Sequence, residues 1–178
     1  MSDAKARAML LPLSLLFVGA VLVLNGLWMA GRIDDREIVL INGATAAITA
    51  AVAAVSLVQA RDVADVRAVA MTLLFSVTYL WVAFNRVSGS DGRGLGWFSL
   101  FVALSVLPEA VRTLRAATTA METWLGLCWL AWAGLWFLYF LTLALQRGFR
   151  RQTALATLCS GVLTAWLPAL VLMYGGRA

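Results

Sequence analysis

The chain has 178 residues, 62% of them apolar, with 14 Lys and Arg against 9 Asp and Glu and not one histidine. A mean hydropathy of +0.88 and a charged fraction of 13%, about half that of a soluble domain, exclude a disordered chain, a nucleic-acid module and an ordinary cytosolic enzyme. The missing imidazole also excludes a histidine general base, a histidine metal ligand and a histidine pH switch.

The charges gather in short clusters that leave six uncharged stretches, residues 8–31, 38–60, 68–85, 94–108, 123–146 and 152–176, together 129 of the 178 residues. About 20 mostly apolar residues carry a helix across a bilayer core of about 30 Å. The pattern predicts an all-α integral membrane protein, a single transmembrane domain over residues 1–178. Six helices are expected at about 8–31, 38–60, 67–87, 95–114, 123–146 and 152–175, joined by short loops that make neighbours antiparallel hairpins.

The first stretch follows Lys5 and Arg7, as a signal peptide would, but its 24 uncharged residues exceed the usual apolar core of roughly 7–15. It is expected to be a retained helix, with Leu15, Val18 and Leu22 on one face and Asn25 one turn further, bonded to a neighbouring helix. In the second stretch Asn42, Thr45, Thr49, Ala53 and Ser56 form a small, polar stripe among alanines. Small residues let backbones approach, so this reads as an interface helix, within the protomer or between protomers, ahead of a polar conduction path. The third repeats Phe75, Tyr79 and Val82 at helical spacing. Taken alone, the apolar stripes of the first and third helices read as core packing.

The fourth stretch has only 15 uncharged residues, but Arg112 and Arg115 can snorkel and lengthen it. Pro108 should free a carbonyl near its end, and Glu109 with Arg112 at i+3 reads as a surface or boundary ion pair. The fifth, WLGLCWLAWAGLWFLYF over 124–140, holds half of the eight tryptophans within 13 residues. Trp129, Trp132, Trp136 and Tyr139 are spaced 3, 4 and 3 apart, which stacks them on one face. Tryptophan favours the headgroup belts, yet Trp132 and Trp136 bracket the middle of this helix. Two readings stand: an aromatic packing seam, or a slot whose ring faces pass a small planar molecule while indole N–H groups donate weak hydrogen bonds. The sixth contains GVLTAWLP over 161–168, where Pro168 should kink the helix.

No Asp, Glu, Lys or Arg lies near the middle of any predicted helix. Ion-coupled transporters and ion channels need such groups, or carbonyl filters, at depth. Their lack suits a neutral solute, or none. Cys128 lies about 8 Å below one face and Cys159 a similar depth below the other, more than about 10 Å apart and beyond disulfide reach. No Walker, GxSxG, CxxC or acidic metal motif occurs, so neither an enzyme nor a cofactor is expected. Orientation is a tie, with seven Lys and Arg on each side, among them Lys5, Arg7 and Arg177 on the side of the termini. The surplus of arginines faces lipid headgroups, not nucleic acid.

Five segments together are similar to the AmiS/UreI family of bacterial urea and amide channels: LLFVGAVLVLNGLW (15–28), LLFSVTYLWVAFN (73–85), WFSLFVALSVLPEAV (97–111), WLAWAGLW (129–136) and GVLTAWLPA (161–169). The resemblance covers about half of the chain and five of the six helices. It implies three two-helix hairpins around a pore in each protomer, and a homohexameric ring with lipid in its central hole. By motif it assigns the pore lining to Leu15, Val18, Leu22, Phe75, Tyr79, Trp129, Trp132, Leu135 and Trp136. It places both termini outside the cytoplasm of the bacterial inner membrane, and a link to urease or an amidase follows.

Two departures stand out. The acid-activated branch of the family opens through histidines in its outer loops, and this chain has none. Ser160 stands where that branch carries a carboxylate. The expected function is therefore passive, uncoupled passage of urea or a short aliphatic amide through an aromatic slot without a histidine acid gate. The alternative is a helical membrane scaffold that transports nothing.

Overall fold

Turn formers and charged caps end the helices close to where the uncharged runs stop. The computed structural model describes residues 7–175, and every regular element among them is helical. Six helices are long and apolar enough to cross a membrane: α1 (Leu10–Met29), α2 (Glu37–Val58), α3 (Val63–Ser88), α4 (Arg93–Ala116), α5 (Ala120–Ala144) and α6 (Arg150–Tyr174). Lys5 and Arg177, two of the cations counted for orientation, lie outside the described residues.

Caps explain where the helices outrun the uncharged stretches. The Asp62 carboxylate accepts the Asp65 N–H at 2.9 Å and starts α3 before the expected residue 67. Thr119 and Glu122 form a reciprocal capping box, Glu122 N–H to Thr119 Oγ1 at 3.2 Å and Thr119 N–H to Glu122 Oε2 at 3.1 Å, so α5 begins at Ala120. Between α3 and α4, Gly89 and Gly92 take φ of +70° and +82°, the left-handed turn that other residues resist.

Two of the three tightly packed pairs are the expected hairpins, α2 on α3 and α4 on α5. The third joins the first and last helices, α1 on α6, and closes the bundle into a ring. Small residues set these approaches. A Cβ on Gly26 of α1 would lie 2.8 Å from the Leu158 backbone nitrogen, and one on Gly161 of α6 would lie 2.8 Å from that of Val23. Asn42, Thr45, Thr49 and Ala53 of the α2 stripe are buried and Ser56 half-buried, and the stripe makes contacts within the protomer: Thr49 shares a 2.7 Å hydrogen bond with Ser76 of α3. Asn42 and Asn25 exchange amide hydrogen bonds of 2.7 and 3.1 Å between α2 and α1, the partner expected for Asn25.

Two π-helical segments interrupt the regular winding, Phe140–Ala144 at the end of α5 and Gly161–Trp166 within α6. Each lies against a glycine of its partner helix, Gly96 of α4 and Gly19 of α1. The irregularity expected at Pro168 takes the form of the π segment directly before it, since proline cannot donate to the carbonyl one turn back. Pro108 is absorbed inside α4.

Glu109 and Arg112 form the boundary ion pair read from sequence: Glu109 is buried, 8% exposed, and binds the half-exposed Arg112 bidentately with Arg112 Nε 3.1 Å from Oε2. Arg67 of α3 stands 3.8 Å from the same carboxylate and ties α3 to α4. Both cysteines are free, Cys128 buried and Cys159 exposed on the outer surface with Leu40, Phe84, Phe101 and Leu155.

Candidate functional site

Helices α1, α3 and α5 begin at the same end of the bundle, because α2 and α4 each return the chain. Their inward positions climb three or four residues at a time. Val18, Phe75 and Trp132 share one buried core with Leu22, Tyr79 and Trp136, and Leu22, Tyr79 and Trp136 also line a cavity with Asn25, Val82 and Tyr139. Eight of the nine residues singled out in sequence, Leu15, Val18, Leu22, Phe75, Tyr79, Trp132, Leu135 and Trp136, are buried in one cluster, with the half-buried Trp129 packed against it. Phe75 is the hub: its ring centroid lies 5.9 Å from Trp129, 5.2 Å from Trp132 and 5.3 Å from Trp136. Trp129 meets Trp132 edge to face at 5.1 Å.

The polar atoms of this centre fall into two groups. Some are spent on neighbouring helices. Trp132 Nε1 donates to Thr164 Oγ1 at 2.7 Å, and Thr164 donates in turn to the Ser160 carbonyl at 2.6 Å. Tyr139 shares a 3.0 Å hydrogen bond with Thr157, and Trp124 Nε1 donates to the Leu163 carbonyl at 3.1 Å. Ser160 takes part in this chain of bonds through its backbone carbonyl. Others have no partner among the described residues: Tyr79 Oη, Trp136 Nε1, Arg86 Nε and Ser14 Oγ are buried and unbonded. Leaving such a group unpaired costs about 1–3 kcal/mol, so an unpaired donor beside a cavity marks a place where something else bonds.

Three of those four residues line cavities. One of about 20 Å³, room for roughly one water, is enclosed by Leu22, Asn25, Tyr79, Trp136, Tyr139 and Ser99 among others. A second of about 40 Å³ continues toward the ends of α1 and α3, past Asn85, Arg86 and Gly92, and shares Asn25, Val82, Leu95 and Tyr139 with the first. Leu95 and Ser99 come from α4 and were not legible in sequence, since nothing in the α4 pattern separates its cavity-facing turn from its packed one. Periodicity did reach Asn25, as a bond to a neighbouring helix, Tyr139, as part of the aromatic face, and Val82, though it did not join them in one cavity.

Charge is confined to the two ends. Arg7–Asp65 and the Glu109 cluster occupy one, and Arg86–Asp35 and Arg93–Asp91 the other. No group of three potential metal ligands occurs among the described residues. The centre offers aromatic faces and two free neutral donors, with no charge between them.

Known proteins resemble this chain over almost its whole length. The sequence pattern of the AmiS/UreI family transporter matches residues 10–176. An amidate substrates transporter protein of Mycolicibacterium smegmatis is 38% identical over 163 residues, 90% of this chain and 75% of its own. The acid-activated urea channel of Helicobacter pylori is 30% identical over 189 residues, 92% of this chain and 97% of its own. The electron cryo-microscopy structure of the Helicobacter pylori urea channel in its closed state superposes with a TM-score of 0.85 at 28% identity, over 94% of this chain and 100% of that one. These relatives are channels and transporters, not enzymes. The chain is a multi-pass membrane protein that belongs to the AmiS/UreI family.

Proposed function

We propose that the protein is a passive, uncoupled channel for urea and short aliphatic amides across the bacterial inner membrane, with both termini outside the cytoplasm. One observation carries this reading. Trp136 and Tyr79 line a charge-free cavity beside the cluster of Phe75 with three tryptophans, and each holds an unpaired donor, Nε1 and Oη. An amide carbonyl accepts from both, and its flat π system lies against the rings. Neither contact is strong, so the solute leaves as readily as it binds, as conduction requires.

In this reading Leu15, Val18, Leu22, Phe75, Tyr79, Trp129, Trp132, Leu135 and Trp136 line the path. Width and planarity select, because a tetrahedral or branched solute cannot pass between ring faces. The family likeness supports a homohexamer in which each protomer carries its own path. The admitted solute is then the substrate of an amide-hydrolysing enzyme in the cytoplasm, a urease or an amidase.

Stopped-flow osmotic measurements on proteoliposomes with urea and acetamide gradients test this. Permeability at least several times that of empty liposomes is expected, and it should not respond to a proton or sodium gradient. Flux equal to protein-free vesicles would sink the channel and favour the scaffold. Trp136→Ala should widen the slot and admit bulkier amides such as isobutyramide. Unchanged discrimination would return these rings to a packing role.

A further inference from the structure

Arg86 belongs to the last turn of α3 and stands where the 40 Å³ cavity opens toward the end of the bundle. Its guanidinium is clamped from outside. The Trp28 ring lies 5.2 Å from the guanidinium carbon, and Asp35 Oδ2 stands 3.5 Å from Nη1. Asp35 Oδ1 also accepts from Trp28 Nε1, so one carboxylate of the α1–α2 loop holds both side chains in place. The clamp leaves Nε buried and without a hydrogen-bond partner. An unpaired donor on a charged group costs more than one on a neutral group.

We propose that Arg86 forms a second solute contact at this mouth. Its Nε–H takes the carbonyl oxygen of urea or an amide, and its charge turns away cations of similar shape. This rests on the channel reading above. Two features decide the ligand. The charges are stacked radially, since the Arg86 side chain is 25% exposed and that of Asp35 is 64% exposed. A solute in the cavity therefore meets the positive member first. The same carboxylate already neutralises Arg86 from outside, so a second anion gains little there, and a neutral oxygen acceptor fits best. Asn25, Asn85 and Tyr139 surround the position and supply the remaining polar wall.

The chemistry gives the filter a purpose. Hydrolysis of urea or an amide releases ammonium, and a path that excludes cations admits the neutral substrate without leaking the charged product. A fixed arginine beside a narrow pore excludes cations electrostatically in other channels as well.

The test uses wild-type protein, Arg86→Lys and Arg86→Gln in proteoliposomes. Urea permeability is read by stopped flow, and uptake of radiolabelled guanidinium, a planar cation of urea's size, is read beside it. Arg86→Lys keeps the charge and loses the unpaired Nε–H, so urea permeability should fall about fivefold or more while guanidinium stays excluded. Arg86→Gln removes the charge, so guanidinium uptake should rise at least about tenfold above wild type. Urea permeability within about twofold of wild type in the Lys variant, or guanidinium still excluded by the Gln variant, overturns the proposal. The lysine variant guards against misfolding caused by loss of charge. Should wild-type protein itself pass no urea or acetamide, the channel reading fails. Wild-type flux with unaltered variants removes only the role of Arg86.

Discussion

Trp132 and Trp136 sit one turn apart on the same face of α5, yet their indole nitrogens differ in kind. Trp132 is tied to Thr164 of α6, and Trp136 is free. Spacing within α5 reveals the shared face and cannot reveal this difference, because the deciding hydroxyl lies 32 residues away on another helix. The same holds for Tyr79, whose hydroxyl is buried and unbonded while that of Tyr139 finds Thr157. Removing an unsatisfied group relieves a cost, so Tyr79→Phe should leave thermal stability in detergent unchanged or slightly raised. The same variant should lower urea permeability about threefold to tenfold, the worth of one net hydrogen bond. Trp132→Phe should do the reverse, lowering stability by about 1 kcal/mol because Thr164 loses its donor, with a smaller effect on flux. Reversal of this pattern between the two variants, read by melting curves and stopped flow, would show that the free donors play no part in passage.

At the scale of the helix, charge punctuation made all six spans legible, down to ends within four residues of those observed. The capping residues Asp62 and Thr119 account for the two largest differences, being polar residues that extend a helix beyond its apolar run. The π segments were hidden. A π turn depends on what the facing helix allows, and here each bulge presses on a partner glycine. A side chain at Gly96 would meet the Ala144 backbone, whereas one at Gly43 meets nothing within 4 Å. Gly96→Ala should therefore destabilise the protein by about 1–3 kcal/mol through overpacking, and Gly43→Ala should be neutral or mildly stabilising, since alanine is the better helix former. Equal melting temperatures for the two variants would contradict this account of α4 against α5. Glu109 teaches the same lesson: its i+3 arginine was visible in the sequence, while Arg67, on another helix, was not.

For the whole molecule, the absence of histidine bears on regulation. The Helicobacter pylori relative is named for its activation by acid, and this chain carries no imidazole to sense it. Solute permeability should thus vary by less than about twofold between pH 5 and pH 7.5. Stopped-flow traces across that range in vesicles of matched internal pH measure it directly. A steep rise on acidification would require a carboxylate gate in place of the imidazole one. Fold class and multi-pass character were both legible from where 23 charges fall in 178 residues. The order in which helices pair was not, because the apolar faces of α1 and α6 look no different from those of their neighbours.

The pairing of α1 with α6 also shapes how the protein is made. Arg150 Nε reaches the Met29 carbonyl at 3.2 Å across 121 residues of chain, and Gly19, Gly26 and Gly161 fit only against the opposite backbone. During synthesis α1 reaches the membrane first and must wait for the last helix, while α2 with α3 and α4 with α5 can each pair as soon as they emerge. A nascent chain stopped before Arg150 holds two finished hairpins and an open seam. Closure of the ring therefore waits for α6, whose Arg150 and Gly161 complete the seam with α1.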